Sequence, residues 1–491
     1  MDDVRSKQRH LLVMWCALGF SAFKAAQSVL YSTAVLTSDT TTVLIAGFDF
    51  SVASALFVLL ADTLIVIAAL RGRLPAMSVP IVVPSAILAA AACFSFAGGF
   101  STMDPAVSLL VLALAQGIST AMLTLAWVEL FTTMKPADSM KALAFAMLLA
   151  SLVSYALRHA PSPVILIAVL VLLLANVALC RKAKCEANAA PQNEPSRGSA
   201  SQLGTNATRS YLKGFLSIGE GLLSLLVLGC TVGIINGFMV VQHYNFEGSS
   251  LASSLGVIAA SVAFFVMAYG FPKTFSASRA YRALFPLLTG VLIVWPFANF
   301  QYGYFVSAAF VAGHSLISTS VMFLIVRESH ESRLNPYVFM GTSVVLIRLA
   351  SMLGIVGGSA IAGLDINPPF KTMLVFCIAV YLLSLALLFM LRIRKRSATT
   401  TSSNDAEGSA PSSTENGSFC ATGQEISVRC KLTDRESEIL LLLARGRSST
   451  YIGEALYLSP NTVRGHIKNI YAKLEVHSKQ EIIDLFTDQA E

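Results

Sequence analysis

The sequence predicts an all-α protein: a transmembrane bundle of twelve helices, six plus six, followed by a small four-helix domain at the C-terminus. Three observations carry this. The 491 residues are 55% hydrophobic and only 13% charged, whereas soluble chains carry about 25% charged residues. The apolar residues come in runs of about twenty, the length a bilayer core of roughly 30 Å demands of a helix. After residue 392 the pattern changes twice, first to a Ser/Thr-rich polar stretch and then to short amphipathic segments.

Twelve apolar runs are centred near residues 23, 56, 87, 118, 149, 171, 230, 260, 290, 315, 350 and 380. The first is full length and lacks a cleavage site, so it reads as a span and not as a cleavable signal. Orientation follows from the basic residues, because cytoplasmic loops carry the excess of Lys and Arg. One set of ends holds Arg5, Lys7, Arg9, Arg71, Arg73, Lys135, Lys141, Arg181, Lys182, Lys184, Lys273, Arg279, Arg282, Arg327, Arg333 and the cluster Arg392, Arg394, Lys395 and Arg396. The opposite set holds little beyond Arg158 and Lys371. With an even number of spans, both termini are expected in the cytoplasm and the chain in the inner (cytoplasmic) membrane. The net charge of +7 is thus first an orientation signal. The eight cysteines show no C-x-x-C spacing, which predicts reduced thiols and neither a metal nor a cofactor.

A polar stretch, RKAKCEANAAPQNEPSRGSASQLGTNATRSY, begins a central cytoplasmic loop (181–213) between the first six-span half (1–180) and the second (214–392). The halves echo each other faintly, with Gly117-Ile118-Ser119 in the fourth run and Gly313-His314-Ser315 in the tenth. This layout resembles the major facilitator superfamily, whose halves are related repeats. The resemblance implies a transporter fold. The loop after the second span departs from the superfamily's usual pattern: in LLADTLIVIAALRGRLP, Asp62 lies inside the run and only a short RGR follows.

Ionisable residues inside spans are costly and are functional candidates for that reason. Lys24 and Arg348 lie midway through the first and eleventh runs; Asp49, Asp62, Glu129 and His314 complete the set. Two midplane cations suit an anionic small molecule, a carboxylate or phenolate, held between the halves. The other reading is structural, with Lys24 and Arg348 paired to Asp49 or Asp62. Gly229, Gly233 and Gly237 repeat at the spacing that lets two membrane helices approach closely.

Residues 393–428 are rich in Ser, Thr, Gly, Asn and acidic residues, and predict a disordered cytoplasmic linker with a mean reach of roughly 30 Å. Globular composition returns in 429–491. Thr433 and Glu436 form a capping box ahead of an apolar stripe at Ile439, Leu440 and Leu443, and Gly446 is placed to stop that helix. A short helix over 449–456 follows. Ser459 is placed to cap a third helix with Pro460 at its first position, and a fourth starts at Ser478.

The third helix has two faces. Val463, Ile467, Ile470 and Leu474 recur at helical spacing, while Asn461, Arg464, Gly465 and Lys468 form a polar stripe. Arg and Lys one turn apart on such a helix can reach guanine edges in a major groove; an ordinary solvated face has the same pattern. The run LTDRESEILLLLARGRSSTYIGEALYLSPNTVRGHIKNIYAKL resembles the LuxR-type helix-turn-helix from LTxRE through S-x-x-TV-x-x-H-x-x-x-I-x-x-KL. The resemblance implies double-stranded DNA as partner, base contacts at Arg464, Gly465 and Lys468, and backbone contacts at Thr462, Ser459 and Lys479. It also implies a homodimer through the domain, with Ile482 and Phe486 of the fourth helix as the pairing surface. Gly465 departs from the family, where that position usually carries a side chain. Residues 428–491 hold nine Lys/Arg and nine Asp/Glu, a net charge of zero, so one copy should hold DNA weakly. Membrane-anchored LuxR-type regulators of anaerobic gut Actinobacteria are similar in architecture, and some control metabolism of small aromatic or steroidal compounds. No G-x-S-x-G, H-E-x-x-H or P-loop pattern occurs, which argues against an enzyme. The sequence thus predicts a ligand-sensing transcription regulator in the membrane, with a secondary transporter as the competing reading.

Overall fold

A computed structural model describes residues 2–37, 50–74, 79–96, 104–189, 205–241, 249–270, 277–294, 303–407, 425–427, 429–430, 432–445, 449, 451–452, 456 and 460–487. It divides into two compact units, Met1–Arg392 and Ile393–Glu491.

In the first unit every long described element is a helix. In chain order these are α1 Asp2–Thr37, α2 Phe50–Leu70, α3 Val82–Phe96, α4 Pro105–Thr132, α5 Pro136–Leu157, α6 Ser162–Ala189, α7 Thr205–Ser217, α8 Gly219–Val241, α9 Ser249–Gly270, α10 Ala277–Val294, α11 Gly303–Glu331, α12 Pro336–Ala362 and α13 Pro368–Glu407. Ten of them are long and apolar enough to cross a membrane, and shorter apolar helices fill the third and ninth places, Val82–Phe96 and Ala283–Ile293. All except α7 fall on the twelve apolar runs. Starts follow local chemistry. Pro105, Pro136 and Pro336 each occupy the first turn of α4, α5 and α12, and the side chains of Asp104 and Asn335 accept from the N–H groups of Ala106 and Tyr337. A proline there loses no hydrogen bond, since that N–H has no partner within the helix.

The packing repeats. In the first half α1 packs on α5 and α6, α2 on α4, and α3 on α4. In the second half α8 packs on α12, α9 on α11, and α10 on α11, while α8 and α13 share an apolar cluster around Ile234, Phe238 and Val375. Shifted by six spans, each pairing of the first half named here reappears in the second. The halves meet through α2 against α12 and α5 against α9, which are also exchanged by that shift. This is the arrangement of two related repeats.

The Gly229–Gly233–Gly237 spacing does set a close approach, and its partner is a second glycine pair on α12. A Cβ on Gly237 would lie 2.1 Å from the Ile355 carbonyl oxygen, and one on Gly358 would lie 2.0 Å from that of Ile234. With lipid as apolar as leucine, such backbone proximity is what holds two membrane helices together.

One expectation is corrected here. Residues 393–407, expected to be disordered, continue α13. Nucleation is the costly step in helix formation; here the span supplies the nucleus, and Arg392–Ala398 contains good helix formers. Most of the remaining linker (408–424) lies outside the described residues, as do Asp49, Gly446 and Ser459.

The second unit contains α14 Asp434–Ala444, α15 Pro460–Leu474 and α16 Lys479–Thr487. Its core is Ile439, Leu440, Leu443, Ile452, Val463, Ile470 and Ile482, with Ile426 added from the segment ahead of α14. The capping box is formed: the Thr433 hydroxyl accepts from Glu436 N, and Glu436 Oε2 accepts from Thr433 N at 2.9 Å. Glu475, at φ 57°, is left-handed after α15, and the Val476 N–H returns to the Tyr471 carbonyl at 3.1 Å. That reversal closes the helix.

Candidate functional site

Two sets of residues stand out, one in each unit. In the second unit α15 has the two faces expected of it. Val463 and Ile470 are fully buried, with Ile467 and Leu474 packed against the same core. Thr462, Arg464, Gly465 and Lys468 are exposed. Asn461 belongs to the first turn of α15, and Lys479 begins α16, half-buried. A Cβ on Gly465 would meet nothing within 4 Å, so this stretch of helix presents bare backbone. The polar face is held in place from below. Lys473 Nζ bonds Glu436 Oε2 at 2.7 Å, tying the last turn of α15 to the first turn of α14. The same contact, and the Thr433 N–H after it, hold the Glu436 carboxyl below the usual carboxylate range.

Ile482 and Phe486 do not form an outward pairing surface. They are 0% and 5% exposed and belong to the core of the domain. The apolar stripe of α16 is needed to close a core that three short helices cannot complete; the outer face of α16 carries Gln480, Glu481 and Asp484 instead.

In the first unit a cavity of about 200 Å³ lies between the halves. Its walls come from α1, α2 and α4 of the first half and α8, α11 and α12 of the second. Lys24, Asp62, His314 and Arg348 all line it, so four scattered residues converge. Arg348 acts electrostatically on each of the other three. Lys24 Nζ bonds Gln27 Oε1 at 3.1 Å and faces the rings of Phe20 and Phe23. Among the described residues no ion pair joins Asp62 to Lys24 or Arg348, so neither cation is neutralised by direct contact with it. The remainder of the wall is mixed: Val58, Leu125, Leu225, Val321, Met322 and Val344 are apolar, and Gln27, Thr120, Thr124, Ser318, Ser343 and Ser351 add amide and hydroxyl groups.

Glu129 is elsewhere. It is buried on α4, bonded to the Tyr337 hydroxyl of α12, and does not line the cavity. Its carboxylate joins the halves, away from this cavity.

Sequence reasoning missed the polar residues of α4. Thr120 lines the cavity with its hydroxyl buried and unpartnered, and one turn earlier the Gln116 Oε1 is in the same state. Gln116 Nε2 donates to the Gln27 carbonyl at 3.4 Å, so this polar row adjoins Lys24. The signal was present: Gln116, Ser119 and Thr120 fall on one face of an otherwise apolar run.

Residues 430–486 match the family described as bacterial regulatory proteins, luxR family. Over 52 residues the chain is 44% identical to the transcriptional regulatory protein DegU of Brevibacillus brevis, covering 11% of this chain and 22% of that one. It is equally similar to the response regulator protein VraR of Staphylococcus aureus (strain NCTC 8325 / PS 47), covering 11% and 25%. The chain therefore spans about a quarter of the length of the curated relatives it matches. The membrane unit is similar to a bacterial homologue of the iron transporter ferroportin in its outward-facing state. That likeness has a TM-score of 0.53 at 12% identity and covers 78% of this chain and 98% of that one; with soaked iron the TM-score is 0.52. At such identity the likeness is one of fold. A major facilitator superfamily transporter, FucP, in the outward conformation gives a TM-score of 0.47 at 13% identity, over 77% of this chain and 98% of that one. The chain is thus a multi-pass membrane protein of transporter-like fold whose residues 430–486 form a LuxR-type helix-turn-helix domain.

Proposed function

We propose that the chain is a one-component transcription regulator of the inner membrane. The bundle binds a small molecule, and the C-terminal domain reads promoter DNA from the cytoplasmic side. The observation that carries this reading is the joining, in one chain, of a LuxR-type domain to a bundle with a charged central cavity. Arg464 and Lys468 are the base-contacting side chains, placed one turn apart to reach guanine edges. Thr462, Asn461, Ser459 and Lys479 serve the phosphate backbone. Because the domain carries no net positive charge, two copies act together on DNA, and tethering raises their effective concentration.

The ligand is a small anion with an apolar body. Lys24 and Arg348 outweigh Asp62 by one positive charge in the cavity wall, and its aliphatic residues, Val58, Leu125, Leu225 and Val321 among them, suit an apolar or aromatic body. Arg348 offers the forked donor geometry that matches a carboxylate.

Genome-wide crosslinking of the intact protein to DNA, beside an Arg464→Ala, Lys468→Ala double variant, tests the reading. Sharp sites lost in the double variant are expected. No enrichment with either protein would overturn it. The transporter-like fold and a cavity between repeats favour a second reading, secondary transport with a regulatory tail. Flux of small carboxylates that collapses in Arg348→Ala, with no DNA enrichment, would select it.

A further inference from the structure

The short helix α7 belongs to neither set. It follows the central loop and ends one residue before α8, whose span begins at Gly219. Tyr211, Gly214 and Phe215 face the protein. The Tyr211 hydroxyl accepts from Asn335 N at 3.2 Å, and the Phe215 ring meets that of Phe339 edge-on at 4.6 Å. Ser217 donates to Glu328 of α11 at 2.9 Å. Roughly a quarter-turn round the helix stand Leu212 and Leu216, 59% and 72% exposed, with Lys213 exposed beside them.

An exposed pair of leucines on a polar helix needs a partner. Leu216 lies three residues and Leu212 seven residues before Gly219, so both fall within about 10 Å of the end of the hydrocarbon-spanning segment at 1.5 Å per residue. A helix this close to the end of a span is within reach of the headgroup and acyl boundary, where amphipathic helices place their apolar face. Lys213 adds a charge that an anionic leaflet attracts.

We infer that α7 is an interfacial helix, with Leu212 and Leu216 inserted into the cytoplasmic leaflet and Lys213 on anionic headgroups. Its other face then ties the leaflet to the start of α12. The Tyr211 hydroxyl holds the N–H of Asn335, which caps α12, the helix that carries Arg348. The surface is distinct from the cavity and from the DNA-reading helix, and does not depend on what either binds.

The test uses the full chain in vesicles of phosphatidylcholine and phosphatidylglycerol, with a benzophenone amino acid placed at 212, 216 or, as a control, 473. After illumination, mass spectrometry is expected to find lipid adducts at 212 and 216 well above those at 473. Adducts only to protein, whether the C-terminal segment or a second copy, would overturn the proposal, as would lipid yields no higher than at 473. With the probe at 216, Lys213→Gln is expected to lower phosphatidylglycerol adducts relative to phosphatidylcholine adducts about fivefold, the factor given by about 1 kcal/mol per basic side chain. An unchanged ratio would overturn the anionic preference.

Discussion

The two units are built by one rule applied in two solvents. In the membrane unit Leu174 and Leu353 are each 71% exposed while Asp62 and Glu129 are 2% exposed. In the C-terminal unit Ile439, Leu440, Val463 and Ile470 are fully buried, and Arg464, Lys468 and Glu481 face outward. The difference decides how a buried polar group is read. In the C-terminal core Glu436 has its partners, Thr433 and Lys473, and is a structural clasp. In the bundle the Gln116 Oε1 and the Thr120 hydroxyl are buried without a partner. A buried group left unpaired costs about 1–3 kcal/mol, so the polar row of α4 beside Lys24 is the reverse of that clasp.

The comparison can be broken most violently at the glycines. Gly358→Val would drive a side chain into the Ile234 carbonyl, only 2.0 Å from the first added carbon. Overpacking against a backbone that cannot yield costs more than the usual 1–3 kcal/mol, and separation of α8 from α12 is the expected result. Loss of the monodisperse peak in size-exclusion chromatography of the solubilised protein would show it; an unchanged profile would mean the two helices are not so close. In the other unit, Ile470→Ala empties a fully buried site and should cost about 2–5 kcal/mol. Hydrogen exchange in the full chain should then speed up across α14, α15 and α16 together, with the membrane helices unaffected.

A milder break addresses the clasp. Thr433→Ala removes the N-cap and should cost about 1 kcal/mol, read as faster exchange confined to α14. The pH dependence has a definite sign. The hydrogen bond from Lys473, and then that from the Thr433 N–H, place the folded pKa of Glu436 below its unfolded value, which is about 4.3. A depressed carboxylate pKa contributes stability that is complete above the unfolded pKa and is lost as pH falls through the folded pKa. Glu436→Gln should remove that acid-side loss and start from a lower stability at neutral pH. A variant that kept the full acid sensitivity of the parent would assign the effect to another carboxylate.

How much of this was legible beforehand follows the same divide. Runs of twenty apolar residues and a capping box are local signals, and the spans, the cap and the two faces of α15 were readable from them. Partners were less so. The glycine repeat on α8 announced a close neighbour, yet Gly354 and Gly358 on α12, four apart and equally visible, were not matched to it. Asp62 could be named, but only tertiary placement shows that it shares a cavity with Lys24 and Arg348 without pairing to either. Glu129 could be named as a candidate alongside Lys24 and Arg348, but nothing local says that Tyr337, 208 residues later, takes its carboxylate. The apolar stripe of α16 suited a pairing surface and a core equally; packing decided for the core.

The smallest effect is the most diagnostic. Gly465 sits mid-helix with open space where a side chain would be, the opposite of Gly358. A glycine there weakens the helix by up to about 1 kcal/mol relative to alanine, and no contact in the fold repays it. Gly465→Ala should therefore stabilise the C-terminal unit by up to that amount, read as slower exchange along α15. If the bare backbone serves close approach to DNA, the same variant should lose crosslinking at the sites the parent occupies. Stability and DNA crosslinking would then move in opposite directions. A variant that gains both would mean that Gly465 has no part in reading DNA, and Arg464 and Lys468 would carry base recognition alone.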